Sequence, residues 1–170
     1  MDATARVLQT FQTSAQTKLD VAQIVAPCVA EAAAKLGDVL LAGHKILACG
    51  NGGSAADAQH FAGEMLNRFE MERPELPAFA LGGDVATLTA IANDYSYDEI
   101  YAKQVRALGQ SGDALLAIST SGNSRNILQA VAAAHDRAMS VIALTGNDGG
   151  NLSRMLSDDD VEICVASTVT

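Results

Sequence analysis

Short apolar runs alternate with helix-like segments along most of this chain. Four runs are apolar at consecutive positions, as in strands that are covered on both faces: KILACG, LPAFAL, DALLAIS and SVIALTG. A weaker segment, VEICVAS, is interpreted as a fifth strand. Between these segments, apolar residues recur at helical spacing, and we expect helices at 54–68, 85–92, 97–108 and 126–137. The alternation predicts a three-layer α/β sandwich with a central parallel sheet.

The N-terminal part of the chain, residues 3–41, has the periodicity of helices. Pro27 suits the first turn of a helix, so we expect a hairpin of two helices, and Gly43 suits the C-cap of the second. No linker or low-complexity tract divides the sequence. We therefore expect a single domain over residues 1–170, with N-terminal helices at 1–42 and an α/β core at 43–170.

Charge and composition exclude several classes of function. The net charge of −9 argues against a nucleic-acid surface, because binding to the phosphate backbone needs clustered Lys and Arg. The N-terminus lacks the apolar core of a signal peptide and no stretch reaches membrane-spanning length, so we expect a cytoplasmic protein without a membrane partner. Cys28, Cys49 and Cys164 are odd in number and widely spaced, which favours small hydrophobes over a disulfide framework.

Two polar loops follow predicted strands, where ligands bind in parallel sheets. The first is CGNGGSAA, in which Gly50, Gly52 and Gly53 allow the backbone to approach a ligand closely. The second is STSGNS, which places four hydroxyls at the start of a helix: Ser119, Thr120, Ser121 and Ser124. Hydroxyls, free backbone amides and the helix dipole together can hold a phosphate without Lys or Arg. The sequence therefore predicts a small anionic ligand at these loops.

Both loops also fit roles that involve no phosphate. The glycines could serve only a tight turn, and Ser124 could simply cap the following helix. Gly50, Gly52 and Ala55 also fit the G-x-G-x-x-A form of the dinucleotide fingerprint. That fingerprint expects an acidic residue about 20 residues further on, whereas the next strand here ends near Asp84. A P-loop is excluded, because no G-K-[ST] follows any of the glycines.

Two further polar pairs stand near these loops. His60 and Glu64 lie four residues apart in the predicted helix after the glycine loop, so that both face one side and could share a divalent metal or a substrate. A surface ion pair is the alternative. Asn93 and Asp94 break the chain between two helices, where they could cap the next helix or offer an amide and a carboxylate for proton transfer.

Three more polar features are interpreted as parts of the surface. His44 and His135 lie at predicted helix ends without an acidic or thiol partner in a recognisable spacing. The SDDD segment at 157–160 is typical of a solvated turn before the last strand.

Several motifs in order strongly resemble one family over nearly the whole chain. They are CGNGGSAADAQHF, Glu64, AIANDYSYDE, LLAISTSGNS and ALTGNDGG. This series resembles the sugar isomerase (SIS) domain, and within it the phosphoheptose isomerases of lipopolysaccharide heptose synthesis. The resemblance implies a flavodoxin-like fold and a homotetramer with active sites between subunits. It also implies an aldose–ketose isomerase that converts sedoheptulose 7-phosphate to D-glycero-D-manno-heptose 7-phosphate.

The resemblance assigns roles to individual residues. His60 and Glu64 match two ligands of one zinc ion per subunit, and Glu64 also matches a substrate contact and the proton-transferring base. Asn93 and Asp94 match a polar pair beside the reacting sugar, and Asp94 is included with Glu64 as a catalytic residue. The remaining implied substrate contacts are Asn51, Gly52, Gly53, Ser119, Thr120, Ser121 and Ser124.

One departure from the family and one close relative leave an alternative open. The family continues past the last strand into a helix that supplies a glutamine and a histidine to the zinc site, and this sequence ends at Thr170. We therefore expect an incomplete zinc site and doubtful activity in the 170-residue chain. A related branch, the replication initiator-associating protein, shares the same motifs. The alternative function is a non-catalytic oligomer that binds the bacterial replication initiator.

Overall fold

The computed structural model describes residues 2–167 and contains a five-stranded sheet. All four neighbouring strand pairs are parallel, and the order across the sheet is β2-β1-β3-β4-β5. The strands are β1 (Ile46–Gly50), β2 (Ala78–Ala80), β3 (Ala114–Ser119), β4 (Ser140–Gly146) and β5 (Val161–Val165). Each lies within one of the five predicted strand segments. The predicted parallel sheet is confirmed, and its strand order is the flavodoxin-like one.

Helices cover both faces of this sheet, as predicted. One face packs against α1 and α2 through side chains such as Ile46, Leu116 and Ile142. The opposite face carries Leu47, Leu115 and Val141 and packs mainly against the other helices. The helical segments are α1 (Ala3–Leu41), α2 (Gly53–Leu66), α3 (Val85–Asp94), a 3₁₀ turn (Tyr97–Glu99), α4 (Ala102–Leu108), α5 (Arg125–Asp136) and α6 (Gly150–Ser153). The helix expected at 97–108 is therefore divided, and the short α6 is an element that the periodicity does not predict.

The predicted N-terminal hairpin is wrong, because residues 3–41 form the single helix α1 with Pro27 inside it. Proline removes one backbone donor from a helix, but the exposed position of Pro27 lets solvent bind the carbonyl that loses its partner. Alanine-rich flanks favour the helix on either side. Only Ala32 and Val39 of α1 are buried, so most of the helix extends away from the core. Gly43 follows it with a φ of 83°, as a C-terminal glycine requires.

The amino ends of the strands carry two buried carboxylates that the sequence did not single out. Asp113 accepts hydrogen bonds from the Lys45 ammonium at 2.6 Å and from the Gln110 amide at 2.8 Å, and His44 lies 3.7 Å away. Asp160 accepts a hydrogen bond from the Val141 amide and contacts His135 at 2.8 Å. The 157–160 segment is the predicted turn before β5, with residues 157–159 exposed. What the sequence interpretation missed is the buried side chain of Asp160 and the acidic partners of the two histidines.

No helix within residues 2–167 combines the length and apolarity that crossing a membrane requires. This finding includes the 39-residue helix α1.

Candidate active site

The two polar loops lie side by side at the carboxyl edge of the sheet. Strands β1 and β3 are neighbours, with Gly50 opposite Ile118, and β2 and β4 lie on their outer sides. The chain direction across the sheet reverses between β1 and β3, which is where parallel α/β sheets form ligand crevices. The glycine loop follows β1 and the STSGNS loop follows β3, so both open into this crevice.

Hydrogen bonds join the glycine loop to the element that follows the second loop. The side-chain amides of Asn51 and Asn126 bond to each other in both directions, each at 2.8 Å. The hydroxyl of Tyr97 donates to Asn51 Oδ1 at 3.2 Å, and the hydroxyl of Tyr101 donates to the carbonyl oxygen of Gly50. Burial, with smaller contributions from Cys49 and Tyr97, raises the pKa of Tyr101, so its phenol stays a neutral donor.

No serine side chain of the STSGNS loop makes a capping hydrogen bond to the helix that follows. Ser124 occupies the N-cap position of α5, but its side chain makes no capping hydrogen bond. Its Oγ instead accepts from the hydroxyl of Ser119 at 3.4 Å. Thr120 and Ser121 are exposed, and Ser121 Oγ accepts from the amide of Asn123. The alternative in which the Ser124 side chain serves only as a helix cap is therefore wrong. Ser119 is buried and donates to Ser124, whereas the exposed hydroxyls of Thr120 and Ser121 are accessible to a ligand.

A third loop, residues 146–151, contacts the STSGNS loop and fixes its shape. Gly122 has a φ of 60°, and a Cβ there would overlap the carbonyl oxygen of Gly149. The Leu152 amide donates to the Gly122 carbonyl at 2.9 Å, and the Asn151 amide donates to Asn123 Oδ1 at 3.1 Å. This close backbone contact requires glycine at position 122. The shape of the candidate phosphate loop thus depends on a segment about 27 residues away in sequence.

The STSGNS loop, the chain at 145–148 and the start of α2 line an open cavity of about 580 Å³. The described residues that line it do not include His60, Glu64, Asn93 or Asp94. Ser54 and Asp57 line it from α2, and Thr120 and Ser121 line it from the phosphate side. Its floor is the carboxyl end of β3, β4 and β5, including Ile118, Leu144 and Ile163. The volume is within the range of small-molecule sites, and polar side chains from several elements line the cavity beside this apolar floor.

The structure brings the side chains of His60 and Glu64 together on α2. Their Nε2 and Oε1 atoms are 3.6 Å apart, and the side chains are 73% and 36% exposed. Two ligands of one tetrahedral zinc ion stand about 3.3 Å apart, so the pair fits two positions of such a site. No group of three or more His, Cys, Asp or Glu side chains that could hold a metal occurs within residues 2–167.

Asn93 and Asp94 are the last two residues of α3, and both are exposed. The Asn93 amide donates to Asp94 Oδ1 at 2.9 Å. Ser96, not either of these residues, is the N-cap of the 3₁₀ turn that follows. The alternative in which the pair caps the next helix is therefore wrong. The roles of this pair toward a ligand stay predictions.

Comparisons with known proteins agree with this geometry. A family model described as the SIS domain matches residues 10–146. A phosphoheptose isomerase of Thiobacillus denitrificans is 64% identical over 165 residues, which are 97% of this chain and 84% of that relative's length. The chain belongs to the phosphoheptose isomerase branch of the SIS domain family. The family that its sequence motifs resemble is confirmed.

Solved structures of the same family also align with nearly all of this SIS domain. A phosphoheptose isomerase from Neisseria gonorrhoeae is 50% identical with a TM-score of 0.94, over 99% of this chain and 90% of that one. Another from Francisella tularensis is 50% identical with a TM-score of 0.96, over 99% of this chain and 88% of that one. The fold class is therefore shown by the observed sheet and by these structures together.

Sequence reasoning misses several residues that shape this SIS-domain site. Asn126 is buried and contacts Asn51, whereas the sequence pattern places position 126 only in a helix. Tyr97 and Tyr101 fall inside the same predicted helix, with no signal that their hydroxyls turn toward the glycine loop. Ser54 lines the cavity directly after the glycines, and its place in that loop is a signal that could have found it. Cys49 is buried, as expected, and burial raises the pKa of its thiol to about 12.

Proposed function

We propose that this protein is an aldose–ketose isomerase that converts sedoheptulose 7-phosphate to D-glycero-D-manno-heptose 7-phosphate. The observation that carries the proposal is the STSGNS loop, whose hydroxyls stand at a helix N-terminus without capping it. Such a loop suits a phosphate monoester. The phosphoheptose isomerases that the chain matches support a phosphosugar substrate. No observation favours the initiator-binding alternative over the enzyme.

The phosphate would be held at the STSGNS loop, and the reacting carbons would extend toward Glu64 on α2. Holding the phosphate supplies binding energy that positions the sugar for proton transfer. The side chains of Ser119, Thr120, Ser121 and Ser124 would bind the phosphate oxygens. Asn51, with the backbone of Gly52 and Gly53, would contact the sugar. The loop geometry and the family resemblance support these assignments.

Isomerisation moves a proton between neighbouring carbons and needs a base close to them. Glu64 would take the proton from C1 of the ketose, giving an enediol, and return it to C2 to give the aldose. The carboxylate of Asp94, beside the amide of Asn93, would move the proton between the two oxygens. Glu64 is half-buried on α2, in contact range of His60, which suits a carboxylate that must both bind and transfer protons.

We further propose zinc as the cofactor, with His60 and Glu64 supplying two of its ligands. Imidazole nitrogen and carboxylate oxygen are ligands that zinc accepts, and their 3.6 Å separation fits a shared ion. When bound, the metal would polarise the substrate oxygens as a Lewis acid. Glu64 would then be close to both the ion and the proton that is transferred.

The proposed activity is tested by incubating the full-length protein with sedoheptulose 7-phosphate and following formation of the aldose. Sedoheptulose without phosphate is the matched control substrate, because it lacks only the group that the STSGNS loop would hold. Turnover of the phosphorylated sugar with little or no turnover of the free sugar is expected. Equal turnover of both would contradict the phosphate assignment.

Removing two hydroxyls from the loop should weaken substrate binding. In the double variant Ser121→Ala, Ser124→Ala, we expect the affinity for sugar phosphate to fall by about 100-fold or more, because each hydrogen bond to a charged group contributes roughly 1.5 kcal/mol or more. Titration calorimetry measures the change. The double variant Ser14→Ala, Ser140→Ala is the control, since Ser14 lies in α1 and Ser140 at the amino end of β4. An unchanged affinity in the loop variant would place the phosphate elsewhere.

We propose a homotetramer, since α1 presents an apolar surface that its own chain leaves open. Val7, Phe11 and Ile24 are 54%, 72% and 73% exposed. Exposed apolar patches of this kind mark interfaces, and a second copy of the same helix is the partner that the family resemblance implies. Light scattering at micromolar concentration should report four chains. In the variant Phe11→Glu, Ile24→Glu we expect a smaller assembly, whereas Gln12→Glu, exposed on another side of α1, should leave the mass unchanged.

The resemblance also supplies the wider setting of this proposal. The product would serve the synthesis of lipopolysaccharide heptose, in the cytoplasm. Neither a nucleic acid nor a membrane is a proposed partner.

A further inference from the structure

Asn126 is a buried polar residue with an unusual place in this site. It is the second residue of α5, immediately after the STSGNS loop, and only 2% of it is exposed. Its side chain does not bond within its own helix but reaches Asn51, 75 positions away in the sequence. An amide that is buried this deeply costs free energy unless both its donor and its acceptor are used. The reciprocal pair with Asn51 meets that requirement.

The pair fixes which atoms of Asn51 remain for a ligand. Asn51 Oδ1 accepts from Asn126 Nδ2 at 2.8 Å and from the Tyr97 hydroxyl at 3.2 Å, so both of its lone pairs are occupied. One hydrogen of Asn51 Nδ2 is used by Asn126 Oδ1 at 2.8 Å. The second hydrogen is left over. Asn51 is therefore set up as a donor toward an oxygen of the ligand and not as an acceptor.

Asn126 also connects the two ends of the proposed substrate. Its backbone continues from the loop that would hold the phosphate, and its side chain holds the residue that would contact the sugar. The distance between the phosphate and the Asn51 donor is then fixed by one rigid helix turn and two hydrogen bonds. Such preorganisation matters most for a reaction in which the reacting carbons lie far from the group that provides most of the binding energy.

We propose that Asn126 is a positioning residue that holds Asn51 as a hydrogen-bond donor at a set distance from the phosphate loop. The inference rests on the proposed isomerase function and adds the residue that aligns the sugar with the reacting groups. Tyr97 assists by occupying the second lone pair of Asn51 Oδ1. Asn126 itself is shielded from the ligand by its burial and acts only through Asn51.

The test compares Asn126→Leu with Asp113→Asn in the full-length protein. Asp113 is the matched control because it is a buried, hydrogen-bonded polar residue at the opposite edge of the sheet. Measurements on each variant are kcat, the dissociation constants of sedoheptulose 7-phosphate and of inorganic phosphate, and the melting temperature. Both variants should have a lower melting temperature than the wild type. Only Asn126→Leu should lower kcat, by about tenfold or more, since misplacing a reacting group by a fraction of an ångström is costly.

The two dissociation constants separate positioning from general damage. In Asn126→Leu the affinity for inorganic phosphate should change less than about twofold, while the preference for the sugar phosphate over inorganic phosphate should fall about tenfold. An unchanged kcat and preference would overturn the inference, and so would an equal loss of both affinities. If the wild type binds the sugar phosphate without turnover, the isomerase proposal fails, and the change in preference still decides the role of Asn126.

Tyr97→Phe provides a second variant in case Asn126→Leu does not fold. It removes one hydroxyl from a side chain that is 54% exposed, so little loss of stability is expected. Without this hydroxyl, one lone pair of Asn51 Oδ1 is free and the Asn51 side chain is held less firmly. We therefore expect kcat to fall by about threefold while the affinity for inorganic phosphate stays unchanged. Tyr95→Phe, also exposed and without a hydrogen bond to Asn51, should leave kcat unchanged. A Tyr97→Phe enzyme with wild-type kcat and preference would overturn the inference.

Discussion

Replacing Glu64 by glutamine in the full-length protein should lower kcat for sedoheptulose 7-phosphate by about 10³-fold, because a well-placed general base contributes roughly 10² to 10⁴. Glutamine keeps the size of the side chain but cannot accept the proton. Binding of the sugar phosphate should change far less, since the phosphate loop is untouched. Stopped-time assays of aldose formation give the rate, and calorimetry gives the affinity.

Two companion variants make the Glu64 result interpretable. Glu72→Gln removes an exposed carboxylate that pairs with Arg68 after the end of α2, and it should keep the wild-type rate. His60→Ala should lower both zinc content, measured by metal analysis, and activity, because it removes a proposed ligand while leaving the base. Wild-type activity in Glu64→Gln would show that the base lies elsewhere. Wild-type zinc content in His60→Ala would show that the zinc is bound by other residues.

Substituting Gly122 by alanine should have the largest effect on the phosphate loop. The new Cβ would overlap the carbonyl oxygen of Gly149, and this backbone atom cannot rotate away as a side chain could. In addition, the φ of 60° at position 122 is strained for any residue with a Cβ. We expect a loss of about 2–5 kcal/mol in the free energy of unfolding, from left-handed strain and overpacking together. Binding of inorganic phosphate should fall below detection. Urea unfolding at fixed protein concentration and phosphate titration measure the two effects.

Gly43→Ala is the matched control for this substitution. Gly43 also has a left-handed φ, 83°, but a Cβ there has nothing within 4 Å. It should therefore show only the strain, about 1–2 kcal/mol, with phosphate binding intact. If Gly122→Ala lowered the free energy of unfolding no more than Gly43→Ala and bound phosphate normally, the contact between the two loops would not shape the site.

Much of the core was predictable because its signals are local. A strand covered on both faces must be apolar at successive positions, and β1 and β3, which are buried throughout, show this. Right-handed connections between such strands leave few topologies to consider, so the α/β sandwich follows. The glycine and serine loops were also visible, since each combines unusual residue types immediately after a strand. The spacing of His60 and Glu64 sufficed to place both on one side of a helix, and their side chains do meet.

The sequence misled where a local signal had two possible outcomes. Pro27 can begin a helix or lie within one, and the exposed position of its turn permits the second outcome here. Similarly, a serine before a helix is the usual cap, yet the side chain of Ser124 meets Ser119 instead. The residues within four positions of Pro27 and of Ser124 do not determine which of the two outcomes occurs.

By itself, then, the sequence determined the layered sheet, the family and the two loops, because periodicity and motifs depend on neighbouring residues. Only the tertiary structure decided what each polar side chain contacts. Asn126 meets Asn51 and His135 meets Asp160 because parallel strands bring distant loops to the same edge of the sheet. A hydrogen bond between residues 75 positions apart leaves no periodic trace in the chain, and its energy depends on a geometry that exists only after folding.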